Sequence, residues 1–330
     1  MDSSKLELEK NSHWHNSPAY SYTLALFTFL IWGTSFTAGK FISPEPFSPI
    51  IATFYRTIIG ALTIFIILLI NGQLGQWLQS FRKFFLPNLI IGMGLYSLAF
   101  FLEYWSLGRT ESSNQAVLSN TMIFWVVIIN TIVYKQKPTR NFLVGLAIAI
   151  IGVFLILISD ELKFNNETLP GDLGTLMAYF IWGAYSAFTA KINEKTNPLF
   201  TTLSVFLTAL ITLLPISLIS GDLSAITKLN ITNWVAILYL GIFCGGIAFF
   251  TYNIALSNKR ISSEYIAIFS LLNPIIGTIS GILLLHEILY LREAIGIVLI
   301  LIAIIVANRN PRYRELPVDE LEDSSKLNTS

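Results

Sequence analysis

The chain contains 330 residues, of which 54% are hydrophobic and only 12% are charged, and its formal net charge is +1. Soluble domains carry about 25% charged residues, so this supply cannot cover a globule of this size with a solvated surface. The near-zero net charge makes nucleic acid an unexpected partner, and the single cysteine, Cys244, excludes an intrachain disulfide and a cysteine-ligated metal cluster. The composition therefore predicts an integral membrane protein.

Polar tails flank the apolar part of the chain. Residues 1–21 are polar and too varied for a signal peptide. The apolar run that follows is too long for the h-region of a signal peptide and shows no evident cleavage site, so we expect it to remain as a span. Residues 309–330 form a charged tail that we expect to be disordered.

Ten apolar runs lie between the tails, most of them close to the roughly 20 residues that a helix needs to cross a hydrocarbon core. Helix is the predicted type, because a span in lipid must satisfy its own backbone hydrogen bonds and the runs lack the period of two of a barrel strand. Between the second and third runs, residues 71–86 predict an amphipathic segment in the membrane interface. The predicted spans are 22–42, 48–70, 87–107, 114–134, 141–159, 172–191, 200–219, 234–256, 264–285 and 293–308.

The loops between these spans differ in basic charge. With a cytoplasmic N-terminus, twelve Lys and Arg residues fall on the inner side and five at the outer ends. Cytoplasmic loops carry the excess of Lys and Arg in membrane proteins. We therefore expect both termini in the cytoplasm and the chain in the plasma (inner) membrane. The five outer residues are Lys40, Arg109, Lys163, Lys228 and Arg292.

The first span is echoed later in the chain. "FLIWGTSFTAGKFI" at 29–42 aligns with "YFIWGAYSAFTAKI" at 179–192, with Ile-Trp-Gly in register at an offset of 150, and further blocks repeat at similar offsets. This pattern predicts two five-helix halves, residues 22–159 and 172–308, joined by an extracytoplasmic linker at 160–171. Because each half has an odd number of spans, the halves have opposite orientations and form an inverted repeat.

Gly39–Lys40 also invites a comparison with a phosphate-binding loop. Five residues separate Gly33 from Gly39 where that loop has four, and Phe41 follows the lysine where Ser or Thr is required. The sequence contains no H-E-x-x-H or G-x-S-x-G motif and only three histidines. We therefore predict neither an enzyme nor an ATP-driven pump, and we expect no cofactor or bound metal.

Several blocks resemble the EamA-type branch of the drug/metabolite transporter superfamily. The similarity begins with Trp-Gly-Thr-Ser at 32–35 and continues with Arg56 early in the second span. It also includes "SLLNPIIGTISGILLLHEIL", with Pro274 and Glu287, and the following Gly296. It covers about residues 22–308.

This resemblance implies a ten-helix transporter with inverted five-helix repeats that exports amino acids, other metabolites or drugs. It does not name the solute. The first half departs from the family pattern at Gln136, which aligns with Glu287 of the second half. A symmetric role for that carboxylate is therefore not expected.

Glu103 is the strongest candidate site residue. It lies inside the third predicted span, where a carboxylate costs on the order of 2.5–3.5 kcal/mol and usually faces a cavity or a partner. Tyr96 and Phe100 share its helical face. We predict contact with a substrate amine or a proton-coupling role. The alternative is an interfacial carboxylate paired with Arg109 or Lys40.

Arg56 lies about two turns into the second span, and its guanidinium suits bidentate binding of a substrate carboxylate. The alternative is a structural ion pair or a contact with a helix end. Aromatic and hydrogen-bonding residues complete a candidate cavity for an organic solute, with ordinary helix packing as the alternative. These further candidates are Trp32, Thr34, Tyr96, Tyr185, Tyr252 and Asn253.

Charged residues near the ends of spans are candidates for gating or ion pairing. Lys40 and Lys191 close equivalent helices, and they either gate or extend to the interface. Glu264 opens the ninth span beside two basic residues, and we interpret it as a solvated or helix-capping charge, with gating as the alternative. His286 and Glu287 form either an interfacial cap or a titrating pair.

Together these features predict a secondary transporter for a small organic metabolite such as an amino acid, an amine or a drug-like solute. We expect export by alternating access without ATP, with proton antiport through Glu103 or facilitated exchange as the means of coupling. The expected partners are the solute, protons and the lipid bilayer. A polytopic membrane enzyme and a non-transporting receptor are the rival classes.

Overall fold

The structure, a computed structural model, describes residues 17–40, 49–107, 109–110, 115, 118–157, 166–219, 229–285, 290–309 and 311. Within these ranges all regular structure is helical, which confirms the predicted all-α class. Length and apolar composition would allow five helical stretches of this part of the chain to cross a membrane. They are Ile50–Ile70, Phe85–Ser106, Pro198–Ile219, Ile231–Leu256 and Leu291–Asn308.

Seven helices with defined bounds lie in the described ranges before residue 158. They are α1 (Pro18–Lys40), α2 (Pro49–Ile70), α3 (Leu74–Lys83), α4 (Phe85–Leu89), α5 (Ser97–Leu107), α6 (Met122–Ile132) and α7 (Arg140–Leu157). A π-helical segment, Ile90–Tyr96, joins α4 to α5 without a break. Gly72, with φ at +65°, provides the left-handed turn through which the chain leaves α2 and enters α3.

Seven more lie in the described ranges after residue 165. They are α8 (Leu169–Asn193), α9 (Pro198–Ile219), α10 (Ile231–Tyr239), α11 (Ala248–Leu256), α12 (Glu264–Ala267), α13 (Leu272–Leu285) and α14 (Leu291–Asn308). A second π-helical segment, Leu240–Ile247, joins α10 to α11, and a 3-10 turn, Ile268–Leu271, joins α12 to α13.

Each predicted span overlaps a helix of the structure. The fourth span, predicted over 114–134, is interrupted by a turn at residues 120–121, after which α6 begins at Met122. The segment before it contains Gln115, whose side chain donates a hydrogen bond of 2.7 Å to the backbone carbonyl of Glu103. Gln115, Leu118 and Ser119, which precede the turn, are helical as predicted.

The two π-helical segments were not predicted. They begin at Ile90 and Leu240, which are 150 residues apart, and each packs against a helix from the other part of the chain. A Cβ atom at Gly92 would lie 2.5 Å from the carbonyl oxygen of Val205 on α9, and one at Gly241 would lie 2.5 Å from Ile59 on α2. Both segments therefore depend on close helix contact at glycine.

Helices from the two parts of the chain interleave in one bundle. The first helix, α1, packs on α11 and α13, and α8 packs on α5 and α6. The most extensive contact joins α7 to α14, where Gly152 and Gly296 face each other. A Cβ atom at either glycine would lie within 2.8 Å of the other's carbonyl oxygen. Among the described residues, the largest cluster of buried apolar side chains draws on both parts of the chain.

The outer surface of the bundle is apolar. Large hydrophobic residues are exposed along the long helices, among them Leu69 and Ile70 on α2 and Ile305 on α14. A soluble monomer rarely exposes apolar surface on this scale, whereas lipid covers it in a membrane protein. The interior is by contrast rich in aromatic and hydroxyl side chains, and these line the site described next.

Candidate functional site

A cavity of about 700 Å³, counted with its open mouth, lies inside the bundle. Its wall is formed by α1, α2, α5, α6, α8, α11, α13 and the residues that immediately flank them. Aromatic rings dominate this wall, as is usual for sites that bind small organic molecules. The aromatic lining residues are Phe29, Trp32, Phe100, Tyr179, Trp182, Tyr185, Phe249 and Tyr252.

The cavity wall also contains a limited set of polar groups. Two lining residues are charged, Arg56 from α2 and Glu103 from α5. Small hydrogen-bonding side chains lie around them, namely Ser35, Ser119, Asn120, Ser186, Ser270 and Asn273. Of these, the Ser270 hydroxyl and the Asn273 Oδ1 atom are buried and have no hydrogen-bond partner among the described residues. The polar wall therefore retains capacity for hydrogen bonds to a solute.

Two aromatic side chains of α8 hold the Glu103 carboxylate. The Trp182 indole N–H donates to Oε2 at 3.1 Å, and the Tyr179 hydroxyl donates to Oε1 at 3.3 Å. Tyr179 and Trp182 are three residues apart, so both face α5 from one side of the helix. Arg109, the sequence-based alternative partner, lies instead against the Trp105 ring at 4.3 Å. Glu103 is thus oriented by neutral donors.

Arg56 is 7% exposed, and its environment is aromatic. Its guanidinium carbon lies 4.9 Å from the centre of the Phe100 ring, a cation–π distance, and its Nη2 atom donates to the backbone carbonyl of Cys244 at 3.3 Å. Its Nε atom has no hydrogen-bond partner in the described part of the chain. The guanidinium therefore keeps one unused donor, Nε, beside the cavity.

The two charged residues share the cavity wall and interact electrostatically, but at a distance beyond that of a salt bridge. Among the described residues, no salt bridge joins Arg56 to Glu103. The Phe100 ring contacts both neighbourhoods, since it lies beneath Arg56 and packs edge-on against Trp182 at 4.9 Å. The site consequently presents a positive and a negative group to the same space, separated by an aromatic surface.

The repeated Ile-Trp-Gly motifs place both tryptophans in the cavity wall. Trp32 donates its indole N–H to the Cys244 carbonyl at 2.8 Å, whereas Trp182 donates to Glu103. The glycine after each tryptophan lies against another helix. A Cβ atom at Gly33 would lie 2.4 Å from Ile276, and one at Gly183 would lie 2.7 Å from Trp125. Each motif therefore combines a cavity-facing ring with a close helix contact.

Five of the predicted substrate-site residues come together in this wall. They are Glu103, Arg56, Trp32, Tyr185 and Tyr252. The Tyr252 hydroxyl donates to the Ser186 hydroxyl at 2.8 Å, which fixes both groups at the edge of the cavity.

The other three predicted substrate-site residues are not in the cavity lining. Thr34 bonds the Ile31 carbonyl and Tyr239, and Tyr96 is fully buried beside Thr57 and several rings. Asn253 is also fully buried, and its side chain joins Asn193 to Thr202. These side chains connect helices.

The predicted gating residues have different environments. Lys191 forms an ion pair of 2.5 Å with Glu194. The expectation that Glu264 is solvated was wrong, because this residue is only 2% exposed. Its carboxylate accepts a short hydrogen bond from Asn130 of α6, which also donates to Ser263 at 3.0 Å.

The remaining gating candidates lie at the edge of, or beyond, the described part of the chain. Lys40 ends α1, and its side chain lies outside the described residues, as do His286 and Glu287. Among the described residues, no three His, Cys, Asp or Glu side chains are grouped as a metal site would require.

Sequence reasoning did not select Tyr179, Phe29, Phe249 or Ser270, all of which line the cavity. Tyr179 precedes Trp182 by one helical turn, so the Trp182 motif carried a signal for it. Ser270 lies in the 3-10 turn before α13, where helical periodicity does not predict which way a side chain points.

A helical bundle with an apolar exterior and an aromatic cavity that contains a few charged groups is a multi-pass membrane protein built to hold a small solute. The EamA-like transporter family matches residues 19–158 and again residues 169–309, and the chain belongs to this family. It is accordingly a membrane transporter.

Relatives of the chain are also named as transporters or efflux pumps. The chain is 26% identical over 275 residues to an uncharacterized transporter of Archaeoglobus fulgidus, covering 81% of this chain and 90% of that protein. It is 27% identical over 240 residues to a probable amino-acid metabolite efflux pump of Escherichia coli, covering 69% and 79%. A crystal structure superposes with a TM-score of 0.73 at 18% identity, covering 89% of this chain and 98% of the other, and shows the shared fold.

Proposed function

We propose that this chain is a secondary transporter that exports a small zwitterionic metabolite, of the amino-acid class, by alternating access without ATP. In this proposal the two halves, residues 22–159 and 172–308, are inverted repeats of five spans each. Both termini lie in the cytoplasm, and the membrane is the plasma (inner) membrane. The chain carries out no covalent chemistry on the solute.

Three observations support the inverted repeat. The family matches two separate segments of similar length. The two π-helical segments begin 150 residues apart, at the same offset as Trp32 and Trp182. Each π-helical segment packs on a helix from the other half, α9 or α2. Interleaved halves of this kind form a site at their interface, and rocking one half against the other exposes that site to either side.

The observation that carries the substrate class is the unpaired presence of Arg56 and Glu103 in one cavity. Arg56 keeps an unused Nε donor and suits a carboxylate, whereas Glu103 suits an ammonium group. A zwitterion neutralises both charges at once. A solute with one charge leaves the opposite protein charge desolvated and unmatched, which is costly in a low-dielectric site.

The aromatic wall supports the same class of solute. Trp32, Phe249 and Tyr252 pack around one another with ring centres 4.9 to 5.1 Å from Trp32, and Phe100 and Trp182 extend this surface. Such rings bury the apolar part of a solute and attract an ammonium group through their faces. Two relatives carry the name amino-acid metabolite efflux pump, which agrees with this proposal.

Counterflow in proteoliposomes tests the proposal. Vesicles that contain the purified full-length chain are loaded with unlabelled amino acids, and uptake of labelled amino acid is compared with that of its methyl ester and its N-acetyl derivative. We expect exchange of the zwitterion and at least a tenfold preference over both derivatives, since each lacks one of the two charges. Arg56→Gln should abolish discrimination against the ester, and Glu103→Gln discrimination against the N-acetyl compound.

Matched controls separate this result from general damage. Arg140→Gln and Glu167→Gln remove the same charges from exposed positions remote from the cavity, and they should leave the preference intact. Exchange of no solute from a broad metabolite pool by folded protein would contradict transport altogether and favour a receptor or an enzyme. Equal exchange of the zwitterion and both derivatives would contradict the substrate class alone.

A further inference from the structure

The short helix α3 lies outside the set of helices that can cross the membrane. Its ten residues, Leu74–Lys83, span only about 15 Å at 1.5 Å per residue, half of a typical hydrocarbon core. None of its residues is fully buried. It follows α2 directly and precedes α4, so it connects two apolar helices at one end of the bundle. Its position is therefore interfacial.

One face of α3 is fixed to the second half of the chain. The Trp77 indole N–H donates to the Ser204 hydroxyl of α9 at 3.2 Å. One turn later, the Ser80 hydroxyl lies 2.6 Å from the Thr196 hydroxyl in the turn between α8 and α9. Both contacts cross between the two halves, so they set the rotation of α3 about its own axis.

Exposed apolar and basic side chains lie on the rest of the surface of this segment. Leu78 is 41% exposed, and Leu86, just beyond the helix, is 63% exposed. Arg82 and Lys83 occupy the last turn, and both are exposed. This is the arrangement of helices that lie in the plane of a membrane surface, with apolar groups in the acyl boundary and basic groups among the headgroups.

Among the described residues, no salt bridge involves the basic side chains of this region. The sequence contains no Asp or Glu between Glu45 and Glu103. Lys195, beside the Thr196 contact, is also exposed. In the described part of the chain the ion pair that forms is Lys191–Glu194, which does not involve Arg82, Lys83 or Lys195. Arg82 and Lys83 follow Ser80 by two and three residues, and Lys195 directly precedes Thr196, so the Ser80–Thr196 contact brings the three cations to the same end of the bundle.

We propose that Arg82, Lys83 and Lys195 form a binding surface for the phosphate headgroups of anionic phospholipids in the cytoplasmic leaflet. A headgroup bound there bridges α3, from the first half, and the α8–α9 turn, from the second half. The exposed Leu78 and Leu86 place the acyl chains of the same lipid against the bundle. Charge complementarity favours anionic over zwitterionic lipid. Each basic residue at such a surface contributes about 1 kcal/mol of binding free energy. This inference is independent of which solute is transported.

Native mass spectrometry of the full-length chain tests this surface. The protein is released from mixed micelles that contain equal amounts of phosphatidylglycerol and phosphatidylcholine, and the ratio of retained lipids is measured. We expect the wild-type chain to retain phosphatidylglycerol preferentially. Each basic charge removed should lower that preference about fivefold. We therefore expect a decrease of about 25-fold for Arg82→Gln combined with Lys83→Gln, and of about fivefold for Lys195→Gln alone.

The matched control is Lys137→Gln with Arg140→Gln, which removes two exposed basic charges predicted to lie on the same side of the membrane. It should reduce the preference much less than the α3 variant does. An equal loss in the two double variants would show that net charge alone attracts the lipid, and it would overturn the proposed surface. An unchanged ratio in the α3 variant would also overturn it. All substituted positions are exposed, so the variants should fold.

Discussion

The indole N–H of Trp182 donates a hydrogen bond to the carboxylate of Glu103 across 3.1 Å, and it does so from the second copy of a motif whose first copy has a different acceptor. At the equivalent position, Trp32 donates to the backbone carbonyl of Cys244. The two halves therefore use the same residue type for different purposes. One tryptophan orients a charged side chain, and the other fixes a π-helical segment to α1.

Replacement of Trp182 by Phe should weaken solute binding. The change retains an aromatic ring but removes one of two donors to Glu103, and a hydrogen bond to a charged group is worth about 1.5–3 kcal/mol. We expect the half-saturating solute concentration in counterflow to rise by at least tenfold. Tyr179→Phe removes the longer bond, at 3.3 Å, and should have the smaller effect. The reverse order would contradict the assigned role of Trp182.

Replacement of Arg56 by Lys should impair recognition of the solute carboxylate even though the charge is kept. Lysine lacks the planar fork that reaches the Cys244 carbonyl while leaving a donor for the cavity. We expect the loss of zwitterion exchange to approach that of Arg56→Gln, measured by counterflow. Full activity of Arg56→Lys would show that Arg56 acts only as a point charge.

Replacement of Gly33 by Ala should destabilise the contact between α1 and α13. The added Cβ atom would lie 2.4 Å from the Cβ atom of Ile276, so the two helices must separate. Overpacking of this kind costs about 1–3 kcal/mol, and we expect a lower thermal unfolding midpoint in detergent. Gly75→Ala is the control, because no atom lies within 4 Å of its added methyl group. An equal effect of the two changes would contradict the packing argument.

Removal of the Asn130 side chain should be more damaging than removal of the charge it contacts. Asn130→Ala leaves the buried Glu264 carboxylate without this donor, a loss of about 1–3 kcal/mol or more for a charged group. Glu264→Gln keeps a polar group of similar shape. In a double-mutant cycle of unfolding midpoints, Glu264→Gln should therefore reduce the effect of Asn130→Ala. Additive effects would show that the two residues do not interact.

Much of the helical architecture was readable from the sequence. The apolar runs predicted the positions of the helices, because a helix in lipid needs apolar side chains around its backbone. The repeated Ile-Trp-Gly motif identified two tryptophans that line the cavity. Glu103 and Arg56 were found because charge inside an apolar run is costly without a function or a partner. These signals are local, and a single chain displays them.

Features that depend on a distant partner were not readable. The burial of Glu264 depends on Asn130, which is 134 positions earlier, whereas its sequence neighbours are basic and suggested solvent. The π-helical segments arise where Gly92 and Gly241 meet helices from the other half. Thr34 and Asn253 have the chemistry of a site, but their helical face points toward another helix. Helical periodicity shows which residues share a face of a helix, but it does not show whether that face contacts another helix or the cavity.

The glycine contact between α7 and α14 has a consequence for biosynthesis. Gly152 lies near the middle of the 330-residue chain, whereas Gly296 belongs to α14, the last helix of the described residues. Until α14 is synthesised, the face of α7 that contains Gly152 lacks its main partner helix. The contact between α7 and α14 therefore forms only after α14 has been made. A chain truncated before Leu291 would remain in the membrane as a partly assembled product, exposed to quality-control proteases.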